Sequence, residues 1–298
     1  MQVTLQDELS RLLYLGKISA MQKCPMMYYW SHHLHLQQAQ KPDYLSFGSG
    51  FHRAALELGL VYGFPVAEAV LSQRIDLAEA LGWKKNTKVL EELGRFSEAD
   101  RTLMLNMLDV FSAKIKECGI KQILGVEKTV LNDVRHLSKH FDDWCIKIDF
   151  LFEDDEGIWA GDLKTTSSYG ASTAKYYHSS PQTKTYFYWA QQKMPNLRGT
   201  KIFVVTKKAV RCEVETIHLT DKDKYEAELF VGEAIKQIDN IEETKQYSRC
   251  MTSCINFMGQ ECPFIPLCIK PITSQQYLDD LLHNWYKIED PDDHLELS

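Results

Sequence analysis

The sequence predicts an α/β (α+β) protein in which helices flank a central mixed β-sheet, with a mainly helical N-terminal part and a C-terminal cysteine clasp. Three observations lead there. Apolar residues in the first 120 positions recur at helical spacing. From Lys121 onward the pattern turns to β-branched runs and alternation. Four of the eight cysteines crowd together at Cys250, Cys254, Cys262 and Cys268. Residues 1–120 are therefore expected to form the helical part, 121–240 the sheet-bearing core, and 241–298 the cysteine cluster and tail, all within one domain over 1–298.

The elements follow in order. LQDELSRLLYLG opens a helical run that extends to about residue 45. Ser19 is the expected cap of a second helix through CPMMYYW, with Pro25 early in it, where a missing N–H costs little. In FGSGFHRAALELGLVYG a Gly-Ser-Gly turn is expected to precede a helix that buries Phe51, Ala55, Leu56 and Leu60. VAEAVLSQRIDLAEALGW and SEADRTLMLNMLDVFSAKIKECG predict two more helices, the second stopped by Gly119. KQILGVEKTVLN reads as a strand. WCIKIDFLFED and EGIWAGDLKTT, joined by a short acidic turn, read as an antiparallel hairpin. A helix entered near Pro181 comes next. The strand pair TKIFVVTKK and AVRCEVETIHL follows, then a long amphipathic helix in DKDKYEAELFVGEAIKQIDNIEETKQY. The cysteine-rich tail and an acidic segment close the chain.

Hydrophobic residues make up 44% of the 298 and charged residues 25%, enough to bury a core without staples. No apolar run approaches bilayer length and none sits at the start, so a soluble, cytoplasmic protein without a membrane partner is expected. A net charge of -7 argues against a protein that coats nucleic acid indiscriminately, though not against one local basic groove. Lys201, Lys207, Lys208 and Arg211 are candidates to line such a groove or merely to solvate an edge hairpin.

The most informative stretch is CIKIDFLFEDDEGIWAGDLKTT, Cys145 to Thr166. Residues two apart in a strand share a face, so Asp162 and Lys164 point the same way and Asp149 can converge on them across the hairpin. Leu163 points into the core, but its carbonyl can still face the site. Two carboxylates and a carbonyl suit Mg²⁺ or Mn²⁺. A lysine beside such an ion can hold a water for phosphodiester hydrolysis. Taken alone, an Asp-x-Lys strand end is more often a solvated surface pair.

IDFLFEDDEGIWAGDLKTT resembles the core of the PD-(D/E)XK nuclease superfamily in its RecB-type branch. Three further segments match in order, in fragments from about Cys24 to Cys268. GSGFHRAALE resembles the upstream Gly-x-x-x-His segment, so His52 takes the place of a metal-binding histidine. Glu127, in GVEKTV, stands where the superfamily often carries a further metal-side acid. Gln182 and Tyr186, in QTKTY, resemble the Gln-x-x-x-Tyr helix that contacts phosphate or aligns the lysine. The resemblance implies a restriction-endonuclease-like core and a Mg²⁺- or Mn²⁺-dependent nuclease. Asp149, Asp162, Lys164, Gln182 and Tyr186 would be its catalytic residues, and His52, Glu127, Asp149, Asp162 and the Leu163 carbonyl its metal site. It further implies DNA ends or single strands as substrate, a role in recombination, repair, phage biology or CRISPR adaptation, and a helicase or recombination protein as partner. No helicase P-loop occurs in the chain. The competing expectation is a catalytically silent DNA-binding or scaffold protein with the same fold.

CPFIPLC resembles the end of the iron–sulfur motif of AddB-type and CRISPR-associated relatives, and KCPMMYYW its N-terminal contributor. That implies a [4Fe–4S] cluster on Cys24, Cys254, Cys262 and Cys268, with Zn²⁺ as the alternative occupant. The pattern departs from the family at Gly259, where many members carry cysteine. Cys254 is preferred for the vacant role because its loop to Cys268 is the more compact, with Cys250 as the alternative. Cys118, Cys145 and Cys212 fall in helix or strand patterns and are expected to be buried and inert. His32, His33 and His35 are expected on a solvated helix face or at a phosphate contact. Tyr28, Tyr29 and Trp30 are expected in the core, with base stacking as the alternative.

Overall fold

The structure, a computed structural model, describes residues 11–39, 43–255, 261–269, 279, 282 and 284–288. Gly259, the first ten residues and the acidic terminal segment lie outside them. In chain order the elements begin with β1 (Leu12–Leu13), α1 (Leu15–Lys23), α2 (Pro25–Tyr28, continued by a π-helical turn at Tyr29–His33) and β2 (Leu36–Gln38). Next come α3 (Asp43–His52, continued by a π-helix over Arg53–Leu60), α4 (Phe64–Leu71), α5 (Ile75–Ala80), α6 (Thr87–Gly94) and α7 (Glu98–Glu117). Then follow β3 (Gln122–Asp133), β4 (Asp143–Glu153), β5 (Ile158–Thr166), α8 (Ala171–Ser179) and α9 (Pro181–Lys193). The series ends with β6 (Leu197–Thr206), β7 (Arg211–Ile217), α10 (Asp221–Thr244), α11 (Ile265–Ile269) and β8 (Tyr286–Ile288). Among the described residues no helix is long and apolar enough to cross a membrane.

The chain divides into two compact units. A sheet unit comprises Pro42–Val130 and Lys147–Ala227, and a cysteine unit comprises Met1–Lys41, Leu131–Ile146 and Glu228–Ser298. In the sheet unit, β4 and β5 form the expected antiparallel hairpin, with Phe150 opposite Gly161 and Glu153 opposite Ile158. β5 then runs parallel to β6, with Asp162 beside Ile202 and Lys164 beside Val204. β6 turns back antiparallel into β7, and β3 pairs with β4. This is a mixed sheet with helices on it, the restriction-endonuclease-like arrangement.

Side-chain alternation decides which face carries the chemistry. Phe150, Leu163 and Phe203 are buried in the core cluster that includes α7, where Phe111 packs edge-on against Phe150 and Phe203. Ile202 and Val204 bury themselves on the other face, against Tyr177 of α8. Asp162 and Lys164 are in register with those two residues and therefore share the α8 face. The hairpin turn is tied by Asp154, which accepts from the Glu156 and Gly157 amides and from the Trp159 indole, and pairs with Lys201 at 2.5 Å. Gly161 has a packing reason: a Cβ there would run into the ring of fully buried Phe150.

In the cysteine unit, β1 lies parallel to the start of β4, pairing Leu12 with Asp143 and Leu13 with Trp144. β2 pairs antiparallel with β8, and Leu36, Phe264, Leu267 and Tyr286 form a small core beside them. On α10, Asp239 accepts from the Ser138 hydroxyl and the Lys139 amide.

Several expectations need correction. Leu12–Leu13 is a strand and not part of a helix, because it finds a partner in β4. Ser19 sits inside α1 rather than capping a helix. The break comes at Cys24, whose extended backbone precedes Pro25 at the first position of α2. The Gly-Ser-Gly run is not a turn but part of α3. Its Gly50 lets Phe96 approach where a Cβ would stand. VAEAVLSQRIDLAEALGW makes two helices, α4 and α5, parted at Gln73 with a φ of +59°. α6 and α8 were not anticipated. The start of α6 was nonetheless marked by Asn86, whose side chain accepts from the Lys88 and Val89 amides. His32 and His33 are not simply solvated: His32 bonds the Tyr14 hydroxyl and His33 stacks on Tyr29.

Candidate active site

All eight proposed site residues outside the cysteine set fall in the sheet unit. β4 and β5 stay paired only as far as Phe150 and Gly161. One residue further, the Asp149 carboxylate takes the Leu163 amide at 2.7 Å in place of a backbone carbonyl. Within a strand the N–H and C=O of one residue point toward the same neighbour, so the Leu163 carbonyl faces the side on which Asp149 stands. Lys164 Nζ donates to Asp162 Oδ1 at 2.7 Å, across one strand period. His52 ends α3 with Nδ1 3.8 Å from Asp149 Oδ2. It sits where α3 gives way to a π-helix, a distortion frequent at functional sites.

Asp149 and Asp162 line one cavity of about 370 Å³ together with Lys147, Gln182, Thr183, Tyr186 and Thr200. Gln182 and Tyr186 reach it from α9, one turn apart and so on one helix face. Burial, and then repulsion from Asp162, push the Asp149 carboxyl up to about 6. His52, Lys164 and the Leu163 amide pull it back. Burial opposes charge on Lys164, but Asp162 and Asp149 outweigh it and raise its pKa. The site thus holds two carboxylates that repel each other and one ammonium already paired.

Glu127 does not stand in the cavity wall. Its carboxylate forms an ion pair with Lys147, which does. Glu127 has a φ of +52°, left-handed backbone inside a strand. Such a conformation costs a non-glycine residue about 1–2 kcal/mol, whereas an exposed ion pair returns about 0–1 kcal/mol. Lys147 was missed from the sequence. The signal was present: it precedes Asp149 by two in an alternating strand. Of the basic residues expected along a groove, Lys201 is turned inward to Asp154, and Lys207 lies 4.1 Å over the Phe47 ring.

In the cysteine unit, Cys24, Cys250, Cys254, Cys262 and Cys268 line a single cavity. Donors already face two of the sulfurs: the Trp30 indole at 3.4 Å from Cys268 Sγ, and the Cys250 amide at 3.3 Å from Cys24 Sγ. Cys250 Sγ lies 3.2 Å from both the Thr252 and Ser253 hydroxyls, which lower its pKa. Burial raises those of Cys262 and Cys268. None of the eight cysteines forms a disulfide. Cys145 and Cys212 are buried, and burial pushes the Cys212 thiol up to about 12. Cys118 is only half-buried, not enclosed as expected. Among the described residues no three His, Cys, Asp or Glu side chains are grouped closely enough to form a ready-made metal site.

A family model described as the PD-(D/E)XK nuclease superfamily matches residues 15–269. The chain belongs to the PD-(D/E)XK nuclease superfamily. Its match runs through segments of both units. Among solved structures, the chain is similar to a candidate exonuclease from Eubacterium rectale, at 12% identity over 91% of this chain and 100% of that one, with a TM-score of 0.49. It is also similar to SSO0001, at 9% identity over 71% of this chain and 90% of that one, with a TM-score of 0.31. No curated protein matches. Asp149, Asp162 and Lys164 all lie within the matched residues.

Proposed function

We propose that this protein is a divalent-metal-dependent deoxyribonuclease, an exonuclease that hydrolyses phosphodiester bonds at DNA ends or in single strands. The observation that carries the reading is the convergence of Asp149, Asp162, Gln182 and Tyr186 on one cavity, with Lys164 bonded to Asp162 at its edge. Two carboxylates that repel each other, an imidazole 3.8 Å from one of them and a backbone carbonyl are a donor set that fits Mg²⁺ or Mn²⁺. Asp149, Asp162, His52 and the Leu163 carbonyl would hold the ion. When bound, it supplies charge stabilisation at the phosphate and a water acidified toward neutral pH.

The remaining roles belong to the chain. Lys164 holds and orients the attacking water with its ammonium, kept charged by the two carboxylates. Gln182 and Tyr186 donate to non-bridging phosphate oxygens and fix the scissile group against the strand ends. Water adds to phosphorus, the P–O bond to the leaving sugar oxygen breaks, and that oxygen takes up a proton.

Cys24, Cys254, Cys262 and Cys268 are proposed to hold a [4Fe–4S] cluster, with Zn²⁺ as the alternative and Cys250 as the alternative fourth ligand. These four thiols line one cavity with N–H donors facing two of the sulfurs, and the sulfurs would have to draw together around either occupant. The wider setting belongs to the same proposal: one nuclease domain over 1–298, cytoplasmic, serving recombination, repair or CRISPR adaptation beside a helicase or recombination protein.

The test is cleavage of end-labelled single- and double-stranded linear DNA and closed circular DNA, with Mn²⁺ or Mg²⁺, by anaerobically purified protein. Loss of linear DNA that stops with EDTA and in Lys164→Ala is the expected result. Absence of cleavage with every metal would overturn the assignment in favour of a silent DNA-binding protein.

A further inference from the structure

Lys147 is the cation of the acidic cavity that the proposed hydrolysis leaves unused. It precedes Asp149 by two residues in β4, so the two share a face, and both line the cavity with Gln182 and Tyr186. Lys164 is engaged by Asp162 at 2.7 Å, while the side chain of Lys147 keeps 42% of its surface exposed. The Lys147 ammonium is held by Glu127, and Glu127 delivers its carboxylate from a left-handed backbone. That conformation costs more than a half-exposed ion pair returns in stability, so the pair is poorly explained as a fold-stabilising device. A fixed cation beside two carboxylates also makes sense electrostatically, because an incoming phosphate needs a partner that Asp149 and Asp162 do not repel.

We propose, resting on the reading of this chain as a nuclease, that Lys147 binds a backbone phosphate of the DNA strand lying in the cavity. Glu127 is then the positioning residue that aims Lys147, rather than a ligand of the divalent ion. Lys147 acts as a point charge on a phosphate oxygen, so the contact is insensitive to base sequence.

The experiment is a fluorescence-anisotropy titration of a labelled single-stranded oligonucleotide with the full chain, in Ca²⁺, across a series of salt concentrations. Mn²⁺ binding is measured on the same proteins by calorimetry. Lys147→Met is expected to weaken DNA binding by about threefold to tenfold and to flatten the salt dependence by about 0.7, the share of one phosphate contact on a single strand. Lys147→Arg is expected to restore most of both. Glu127→Gln is expected to weaken DNA binding less and to leave Mn²⁺ binding unchanged. Wild-type affinity and salt slope in Lys147→Met would overturn the phosphate contact, and loss of Mn²⁺ binding in Glu127→Gln would overturn the positioning role. A wild-type chain that cleaves while Lys147→Met binds normally removes only this proposal. A chain that binds with the expected slope change yet cleaves nothing removes only the nuclease reading. A chain that neither binds nor cleaves removes both.

Discussion

The acidic cavity and the cysteine cavity are built by opposite means. The first is written into strand geometry: Asp149, Asp162 and Lys164 lie within sixteen consecutive residues, and hairpin register sets them on one face. The second gathers Cys24 with cysteines more than two hundred residues away, on a helix junction, a loop and a short helix. One site stands just beyond a strand ladder that runs up to Phe150 and Gly161. The other has little regular structure beneath it: a helix junction, a loop and a short helix. A local site should therefore lose function without losing fold, and a long-range site should lose both.

The largest effect tests the first half of that contrast. Lys164→Ala should reduce cleavage by about 10²–10⁴-fold, the span expected when a group that handles a proton or water is removed. Its melting temperature should fall only modestly, because two carboxylates lose their ammonium but the strand ladder is untouched. A large fall in melting temperature would mean that the acidic cavity is itself a structural element, and the contrast would fail.

The second half is tested at the sulfurs. Cys268→Ser should lose bound iron or zinc and destabilise the chain by several kcal/mol, since metal binding to a thiolate site is folding free energy. Cys250→Ser should keep its metal, because the Cys250 sulfur is already engaged by Thr252 and Ser253. Metal analysis and thermal melts of both variants decide it. Metal lost from Cys250→Ser and kept in Cys254→Ser would exchange the two ligands.

The same contrast explains what could be read from the sequence. The β4–β5 hairpin and the shared face of Asp162 and Lys164 follow from a period of two over a short span, and the structure agrees. α7, α9 and α10 were legible from helical periodicity. Short elements whose partners are distant were not: Leu12–Leu13 is a strand only because β4 lies beside it, and Leu36–Gln38 only because Tyr286–Ile288 does. The Gly-Ser-Gly run misled because glycine has two uses, turning the chain and letting another group come close. Only the second operates at Gly50. Glu127 was legible as an acid on the right strand, but its left-handed backbone and its pairing with Lys147 have no local signature.

A smaller effect probes the cysteine unit without touching sulfur. Burial drives the Lys17 ammonium from 10.5 to about 8, against the pull of Glu242 and Cys145. The amine donates to the Leu12 carbonyl at 2.6 Å. A lowered folded-state pKa means that the unfolded chain binds more protons between those two values, so stability rises with pH across that window. Relative to Lys17→Met, wild type should gain about 3 kcal/mol between pH 8 and pH 10.5, and nothing below pH 7. Urea midpoints of the two proteins at several pH values measure it. A flat difference would mean that the charge is better solvated than its burial implies.

The smallest expected effect returns to the acidic cavity and asks whether local register is enough. Gly161 lines the cavity, directly precedes Asp162 and faces fully buried Phe150. Gly161→Ala would press a methyl group into that ring, and overpacking of this kind costs about 1–3 kcal/mol. If the carboxylates are held by packing from beneath the sheet as well as by register, cleavage should fall with stability as Asp162 shifts. If stability falls while the turnover of the folded fraction is unchanged, register alone holds the site, and the contrast with the cysteine cavity is at its sharpest. Unchanged stability would mean that Phe150 can yield, and that the core on the α7 face does not brace the acidic face at this point.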